Sequence, residues 1–200
     1  MTPTDPSGAR LEPVDRASYL RLHDELGTEP VAEAAVALNI TRTWAHSPGL
    51  MTAQAPLQHY LMFGSALSPR IREVATIRIG WRCSAPYEVH QHLRFGREAG
   101  LTDAELAALL REDAAGAVGF SDADRAAIRV ADDLFAHQTL TEDTWALLCE
   151  QLEPAARLDL LSLVGRYWTV SVVTNALRVQ PEAGGPPVVD GAPSQYGNLR

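Results

Sequence analysis

The sequence repeats one local pattern, in which a Ser or Thr precedes proline or acidic residues and then apolar residues at helical spacing. It occurs at Ser68, at Thr102 with Glu105 three residues later, and at the starts of the segments SDADRAAIRVADDLFAH and TEDTWALLCEQL. Hydroxyl groups at such positions cap the first turn of a helix. No segment offers a convincing set of strands with alternating apolar and polar residues. The pattern therefore predicts an all-α fold.

Helical spacing of apolar residues extends over most of the chain. Gly27 and Gly100 predict helix ends, and Pro56 predicts a kink or a break. The segment PVAEAAVALNITRTWAHS predicts one or two short helices. Further helices are predicted over DRASYLRLHDELG, PGLMTAQAPLQHYLMFGSAL, LSPRIREVATIRIGWRC, PYEVHQHLRFGREAG and PAARLDLLSLVGRYWTVSVVTNAL.

The length of 200 residues is enough for one domain with a substantial core. Residues 1–180 are predicted to form a single all-helical domain with its core at 36–178. Residues 181–200, where Gly, Pro and polar residues dominate, are predicted to be a flexible or docking tail. No apolar run is long enough to span a membrane, and the amino terminus lacks the apolar segment of a secretory signal. The predicted location is the cytoplasm.

The charged residues limit the chemistry and the partners. The net charge is −8, and all 17 basic residues are arginine. The acidic balance argues against nucleic acid, because neutralising phosphates requires a basic face. The lack of lysine excludes Schiff-base chemistry and a phosphate-binding P-loop. The predicted partners are a small-molecule substrate and further copies of the chain, with no nucleic acid and no membrane.

The stretch CSAPYEVHQH, residues 83–92, concentrates the candidate reactive side chains. Glu88 and His92 lie four residues apart and share one face of a helix, where the carboxylate can orient the imidazole and raise its pKa. Glu73, on the preceding helix, lies among apolar residues and beyond the capping position. It therefore needs a partner, which we expect from another helix. The three side chains are predicted to form an acid–base site.

The same residues are compatible with other roles. Glu73 could be a surface residue paired with a nearby arginine, and Glu88 an acid favoured by the helix dipole beside a half-buried His92. A metal-dependent hydrolase is a weaker alternative, because His90 lies on a different helix face from His92 and no further ligands have suitable spacing. Cys83 has no second thiol nearby and is typical of a small core residue.

Residues 68–106 resemble the carboxymuconolactone decarboxylase family, which also includes the AhpD-type alkylhydroperoxidases. The resemblance extends over about residues 36–178. The features that carry it are RE at the start of a core helix, YE with a histidine four residues later, and a glycine turn followed by an acid, here Arg72-Glu73, Tyr87-Glu88 with His92, and Gly100-Leu101-Thr102 with Glu105.

The resemblance implies an AhpD-like helical bundle that forms homo-oligomers, usually trimers or hexamers, with dimers as a further possibility. The AhpD branch uses a CxxC pair followed by a histidine. With His92 placed on that histidine, the two cysteine positions hold Ala85 and Glu88, and Cys83 lies two positions too early. A thiol–disulfide mechanism is therefore not expected. The resemblance then implies proton transfer by glutamate and histidine without a metal or organic cofactor.

The predicted function is acid–base catalysis on a small activated carbonyl or lactone compound. The reaction is predicted to be a decarboxylation, or a related lyase or isomerase step through an enolate. His92 is predicted to move the proton, Glu88 to orient His92, and Glu73 to be the second acid–base group.

Three further residues are predicted to contact the substrate. Arg78 and Arg82 are candidates for holding a substrate carboxylate, and Tyr87 adjoins Glu88. Two alternatives remain open at this point, an AhpD-like peroxidase that uses Cys83 and a non-catalytic helical oligomer that binds a ligand.

Overall fold

The computed structural model describes residues 8–30 and 36–182, and the regular structure in these ranges is entirely helical. The predicted all-α fold is thereby confirmed. A π-helix (Tyr60–Gly64) follows α3, and a 3-10 turn (Ala114–Gly116) precedes α7. The α-helices are α1 (Arg16–Leu26), α2 (Asn39–Trp44), α3 (Pro48–His59), α4 (Pro69–Arg82), α5 (Pro86–Glu98), α6 (Asp103–Leu109), α7 (Asp122–His137), α8 (Glu142–Gln151) and α9 (Pro154–Leu177).

The helix starts are formed by the hydroxyl residues that predict them. Ser68 accepts a hydrogen bond from the backbone N–H of Ile71 at the start of α4. Thr102 and Ser121 form complete capping boxes at the starts of α6 and α7. Thr141 caps α8. These contacts satisfy N–H groups that have no partner within a helix, and the predicted starts are confirmed.

Two predictions about helix interruption have different outcomes. Gly27 ends α1 in the left-handed conformation with φ of 61°, as predicted. Pro56 lies inside α3 and does not break it, so of the predicted kink or break only the kink stays a prediction. The chain stays helical after His59 and passes into the π-helix, in which backbone hydrogen bonds join residues five apart instead of four.

The described residues divide into two compact units. One contains residues 8–30, 36–65 and 176–182, and the other contains residues 66–175, which include α4 to α8 and most of α9. The prediction of a single domain stays a prediction. Residues 183–200, which make up most of the predicted tail, lie outside the described residues.

Helix α4 lies in the core of the second unit, and every residue from Glu73 to Gly80 is buried. It packs against α5 and α7. A Cβ at Gly80 would lie 3.4 Å from the Cβ of Glu88, and a Cβ at Gly96 would lie 3.0 Å from Cδ1 of Ile77. The two glycines therefore let α4 and α5 pack closely, and these contacts show that the two helices are antiparallel.

Arg70, in the first turn of α4, connects three neighbouring segments. Its Nη2 donates to Glu105 at 2.5 Å and to Asp124 at 3.0 Å, and its Nη1 donates to the carbonyl of Gly100 at 3.4 Å. Glu105 and Asp124 belong to the capping boxes of α6 and α7. The hydrogen bond from Arg70 lowers the pKa of Glu105 to about 2. A single guanidinium thus links α4 to the turn after α5 and to the starts of α6 and α7.

Candidate active site

Three helices of the second unit bring polar side chains to one place. Helix α4 supplies Glu73 from its second turn, α5 supplies Glu88 and His92 one turn apart, and α9 supplies Tyr167. The chain reverses between α4 and α5, where Ser84 adopts a left-handed conformation with φ of 50°. Because the two helices then run antiparallel, the start of α4 lies opposite the second half of α5, and Glu73 reaches His92 in the middle of α5.

The imidazole of His92 lies between two carboxylates. Its Nδ1 is 2.7 Å from Oε2 of Glu73, which is a hydrogen bond. Its Nε2 is 3.8 Å from Oε2 of Glu88, which is longer than a hydrogen bond. Glu73 thus finds its partner on another helix, as expected. The imidazole of His92 is therefore oriented by its hydrogen bond to Glu73 and not, as the sequence suggested, by Glu88.

The site is nearly closed to solvent. The side chains of Glu73, Glu88 and His92 are 2%, 5% and 7% exposed. Two aromatic rings cover the imidazole at steep angles, with ring centroids 4.9 Å away for Tyr167 and 5.4 Å away for Phe95. Electrostatic interactions between the three polar groups are therefore stronger than they would be in water.

The charges of Glu73 and His92 stabilise each other. Burial alone would raise the pKa of Glu73, but the charge and hydrogen bond of His92, with a smaller effect of Arg72, lower it below its usual value. Burial alone would lower the pKa of His92, but Glu73 and then Glu88 raise it. These shifts favour the carboxylate form of Glu73 and the imidazolium form of His92.

This ion pair predicts a pH dependence of stability. The lowered pKa of Glu73 contributes stability above its ordinary pKa of 4.5, and that contribution is lost as the pH falls. The raised pKa of His92 contributes fully below its ordinary pKa of 6.5, and that contribution is lost as the pH rises through the folded-state pKa. The ion pair should therefore stabilise the fold most between pH 4.5 and 6.5.

The measurement is urea unfolding of the natural chain and of the double variant Glu73→Gln/His92→Gln across pH 4 to 9. The difference in free energy of unfolding between the two should peak in the predicted window and decline on both sides. A difference that does not change with pH would contradict the ion pair.

Residues 48–133 match the model of the carboxymuconolactone decarboxylase family, and the matched segment contains Glu73, Glu88 and His92. This segment, 86 of the 200 residues, is similar to the carboxymuconolactone decarboxylase family. The family resemblance predicted from residues 68–106 is confirmed. No curated protein matches the chain in sequence.

A solved structure supports the fold of this family over most of the chain. The crystal structure of the debrominase Bmp8 in its apo form superposes with a TM-score of 0.64, covering 86% of this chain and 92% of that chain. The sequence identity is 14%, so this likeness shows the fold alone. The chain therefore shares the helical fold of that structure, consistent with the predicted AhpD-like helical bundle.

Arg78 has a structural role, and the prediction that it holds a substrate carboxylate is wrong. It lies five residues after Glu73, which places it on a different face of α4. All five of its N–H groups are used. They donate to both carboxylate oxygens of Asp132 and to three backbone carbonyls, those of Leu109, Arg111 and Glu112. No donor is left for a ligand.

Arg82 and Tyr87 also lie in other surroundings than the sequence suggested. Nine residues after Glu73, Arg82 occupies the opposite side of α4, and its Nη1 donates to Glu112 at 2.8 Å. Tyr87 is 1% exposed in the core. Its contact with a substrate stays a prediction.

The site predicted from the sequence did not include Arg166 and Tyr167, which are consecutive residues of α9. Both lie beyond the segment that matches the family model, so the family motifs could not point to them. A polar-aromatic pair inside an otherwise apolar helix is the only local signal. Burial lowers the pKa of Arg166, and the nearby charges, including that of Glu88, oppose this shift. Arg166 is thus a half-buried cation close to Glu88.

Within residues 8–30 and 36–182, no group of three or more His, Cys, Asp or Glu side chains is arranged to hold a metal ion. In the same ranges, no helix combines the length and the apolar character needed to cross a membrane.

Proposed function

We propose that the chain is a cofactor-independent acid–base enzyme that acts on a small activated carbonyl or lactone compound. The observation that carries the proposal is one imidazole placed between two carboxylates, with Nδ1 of His92 2.7 Å from Glu73 and Nε2 3.8 Å from Glu88. A dry site of this kind holds titratable groups in different protonation states at one pH. The match of residues 48–133 to the carboxymuconolactone decarboxylase family model supports the proposal.

The geometry assigns a separate task to each group. Glu73 fixes the orientation of the imidazole through Nδ1 and stabilises the imidazolium, as the carboxylate of a hydrolase triad does. The Nε2–H of His92 carries the proton that is transferred. Glu88, beside Nε2, is placed to receive a proton from the substrate or to hold its reacting end. Relative to the sequence-based prediction, Glu73 and Glu88 exchange roles.

A decarboxylation through these groups needs no oxidant or reductant. In a substrate whose carboxylate is β to a carbonyl group, the bond to the carboxylate carbon breaks and carbon dioxide leaves. The electron pair of that bond enters the carbonyl system as an enolate. The Nε2–H of His92 then protonates the carbon that lost the carboxylate, and the neutral imidazole recovers a proton from solvent. Positioned proton transfer of this kind contributes about 10²–10⁴-fold to a rate.

A substrate with a carboxylate needs a cation nearby, and Arg166 suits this task better than the arginines of α4. It adjoins Tyr167, which packs against His92, and its charge interacts with that of Glu88. Arginine binds carboxylates in a bidentate geometry. The substrate class that fits is therefore a small anion with a carbonyl group next to the reacting carbon.

The test is the incorporation of solvent deuterium. The protein is incubated in deuterated water with a panel of β-keto acids and unsaturated lactone carboxylates, and the products are analysed by NMR. We expect one deuterium per turnover at the carbon that loses carbon dioxide or a proton. Turnover without deuterium at that carbon would contradict acid–base catalysis.

The peroxidase alternative requires a reactive thiolate, and Cys83 does not fit this requirement. Burial raises the pKa of the Cys83 thiol to about 11. Only the thiolate is nucleophilic, so a raised pKa leaves little reactive sulfur at neutral pH. The second cysteine, Cys149, lies on α8, far along the chain, and both thiols are free.

Cys83 should therefore react slowly with a thiol reagent. With an ordinary pKa of 9.0 and a folded-state pKa of about 11, its thiolate fraction at pH 7 is about one hundredfold below that of an ordinary cysteine. The measurement is the labelling rate of the variant Cys149→Ser in native buffer, with the urea-unfolded protein as the control. A native rate equal to or above the unfolded rate would favour the peroxidase.

A non-catalytic oligomer that binds a ligand is the second candidate, and the near-complete burial of the three polar groups favours it. In that case the Glu73–His92 pair is a structural network. It would stabilise the fold, but no compound would exchange protons with solvent in a His92-dependent way.

A further inference from the structure

Helix α9 exposes a face without charged residues. The exposed positions Leu158, Ser162, Gly165, Thr169 and Val172 recur at alternating intervals of four and three residues. Leu158 is 67% exposed and Val172 is 51% exposed. The solvent face of a helix normally carries charged residues, and this chain has 42 of them in 200 positions. An uncharged face of four turns is therefore unusual for contact with water.

The spacing of this face is that of a helix that packs against another helix. Intervals of four and three give the 3.5-residue period of a coiled-coil seam. The three central residues, Ser162, Gly165 and Thr169, are small, and a Cβ at Gly165 would meet nothing within 4 Å. The separation of two helix axes depends on the side chains at the contact. The centre of the face thus allows a second helix to approach closely.

The order of residues along the face makes it complementary to itself. Leu158 lies seven residues before Gly165 and Val172 lies seven residues after it. Ser162 lies three residues before Gly165, and Thr169 lies four residues after it. In an antiparallel pair that crosses at Gly165, Leu158 of each copy meets Val172 of the other. Such reciprocal contacts are those of a two-fold dimer.

Charge favours the same arrangement. Each chain carries a net charge of −8, so two copies repel each other over most of their surfaces. The face of α9 brings no charged side chain into the contact. Arg166, which adjoins it, already interacts with Glu88 of its own chain.

We propose that the uncharged face of α9 binds the same face of a second copy of this chain, antiparallel and crossing at Gly165. This pairing places the second copy on the helix that carries Tyr167, whose ring packs 4.9 Å from that of His92. It rests on the spacing and exposure of α9 and is independent of the proposed function.

The first test uses charge substitutions at the reciprocal contacts. Leu158→Lys places a lysine against Val172 at both contacts, and Val172→Glu places a glutamate against Leu158 at both contacts. Each single variant therefore buries unpaired charges and should halve the mass of the assembly measured by sedimentation equilibrium. The double variant places a lysine against a glutamate at both contacts and should restore the mass. The two substituted residues are about 21 Å apart in one chain, so they cannot pair within it.

The second test reports the crossing point by crosslinking. Gly165→Cys should form an intermolecular disulfide under mild oxidation, identified by peptide mass spectrometry. Ala155→Cys, on the same exposed side of α9, is the matched control and should not. In the proposed pair the two copies of residue 155 are about 30 Å apart, whereas a disulfide needs Cα atoms within about 7 Å.

Circular dichroism of each variant checks that the fold is retained, and the substituted positions are all exposed. A natural chain that is monomeric at 100 µM would overturn the proposal. So would single charge variants that leave the mass unchanged, as expected if another segment of the same chain covers the face. Efficient crosslinking of both cysteine variants would show a parallel pair and overturn the antiparallel one.

Discussion

His92→Asn should lower the rate of proton transfer to substrate by about 10²–10⁴-fold, the range found for removal of a positioned acid or base. Asparagine keeps a polar group beside Glu73 but cannot donate and recover a proton near neutral pH. The measurement is kcat for the compound that incorporates deuterium in the solvent-exchange experiment. The matched control is His90→Asn, a substitution of the same type on another face of α5, which should leave kcat within about twofold.

Glu73→Gln provides a readout that needs no substrate. Without the carboxylate, burial is the dominant influence on His92, so the pKa of the imidazole should fall from its raised value. NMR titration of the histidine side chains measures this shift directly. The same variant should also lower kcat, because the imidazolium loses its stabilising partner at 2.7 Å. Full activity together with an unchanged pKa of His92 would refute the role of Glu73.

Arg78→Met should cost about 3 kcal/mol of unfolding free energy, the lower end of the range for breaking a buried ion pair. The guanidinium is completely buried, and its loss removes two hydrogen bonds to Asp132 and three to backbone carbonyls. Asp132 is 26% exposed and can recover some hydration, which limits the effect. Methionine keeps the apolar part of the side chain, so the lost donors cause most of the change.

Arg97→Met is the matched control for this stability measurement. Arg97 also pairs with an aspartate, Asp103, at 2.8 Å, but the two side chains are 44% and 82% exposed. Exposed pairs contribute about 0–1 kcal/mol. Urea unfolding should therefore separate the two variants by at least 2 kcal/mol. Equal effects would mean that Arg78 does not stabilise the core.

Local features of the sequence were sufficient for the helices and for part of the site. Capping hydroxyls act within one turn, so Ser68 and Thr102 could be recognised without knowledge of tertiary structure. The burial of Glu73 followed from the apolar residues around it, and burial in turn required a partner on another helix. These inferences depend on the helical period and on the cost of an unpaired buried charge.

The contacts between helices could not be read from the sequence in the same way. Glu88 shares a face with His92, but the antiparallel packing of α5 on α4 gives the hydrogen bond to Glu73 instead. The donors of Arg78 are occupied by carbonyls at and after the end of α6, which are distant from it in the sequence. Tyr167 is 75 residues from His92 in the chain. Each of these contacts depends on tertiary packing, which local patterns do not encode.

Arg70 has a mechanical consequence for the distance between Glu73 and His92. Helices α4 and α5 are joined at one end by the tight turn through Ser84, and at the other end Arg70 bonds to the carbonyl of Gly100. The two helices are therefore fastened at both ends, with Glu73 and His92 between the fastenings. A displacement of α5 along α4 by a single turn would be about 5.4 Å and would separate this pair completely. The hairpin is thus resistant to sliding, and contacts outside the pair hold the distance between Glu73 and His92.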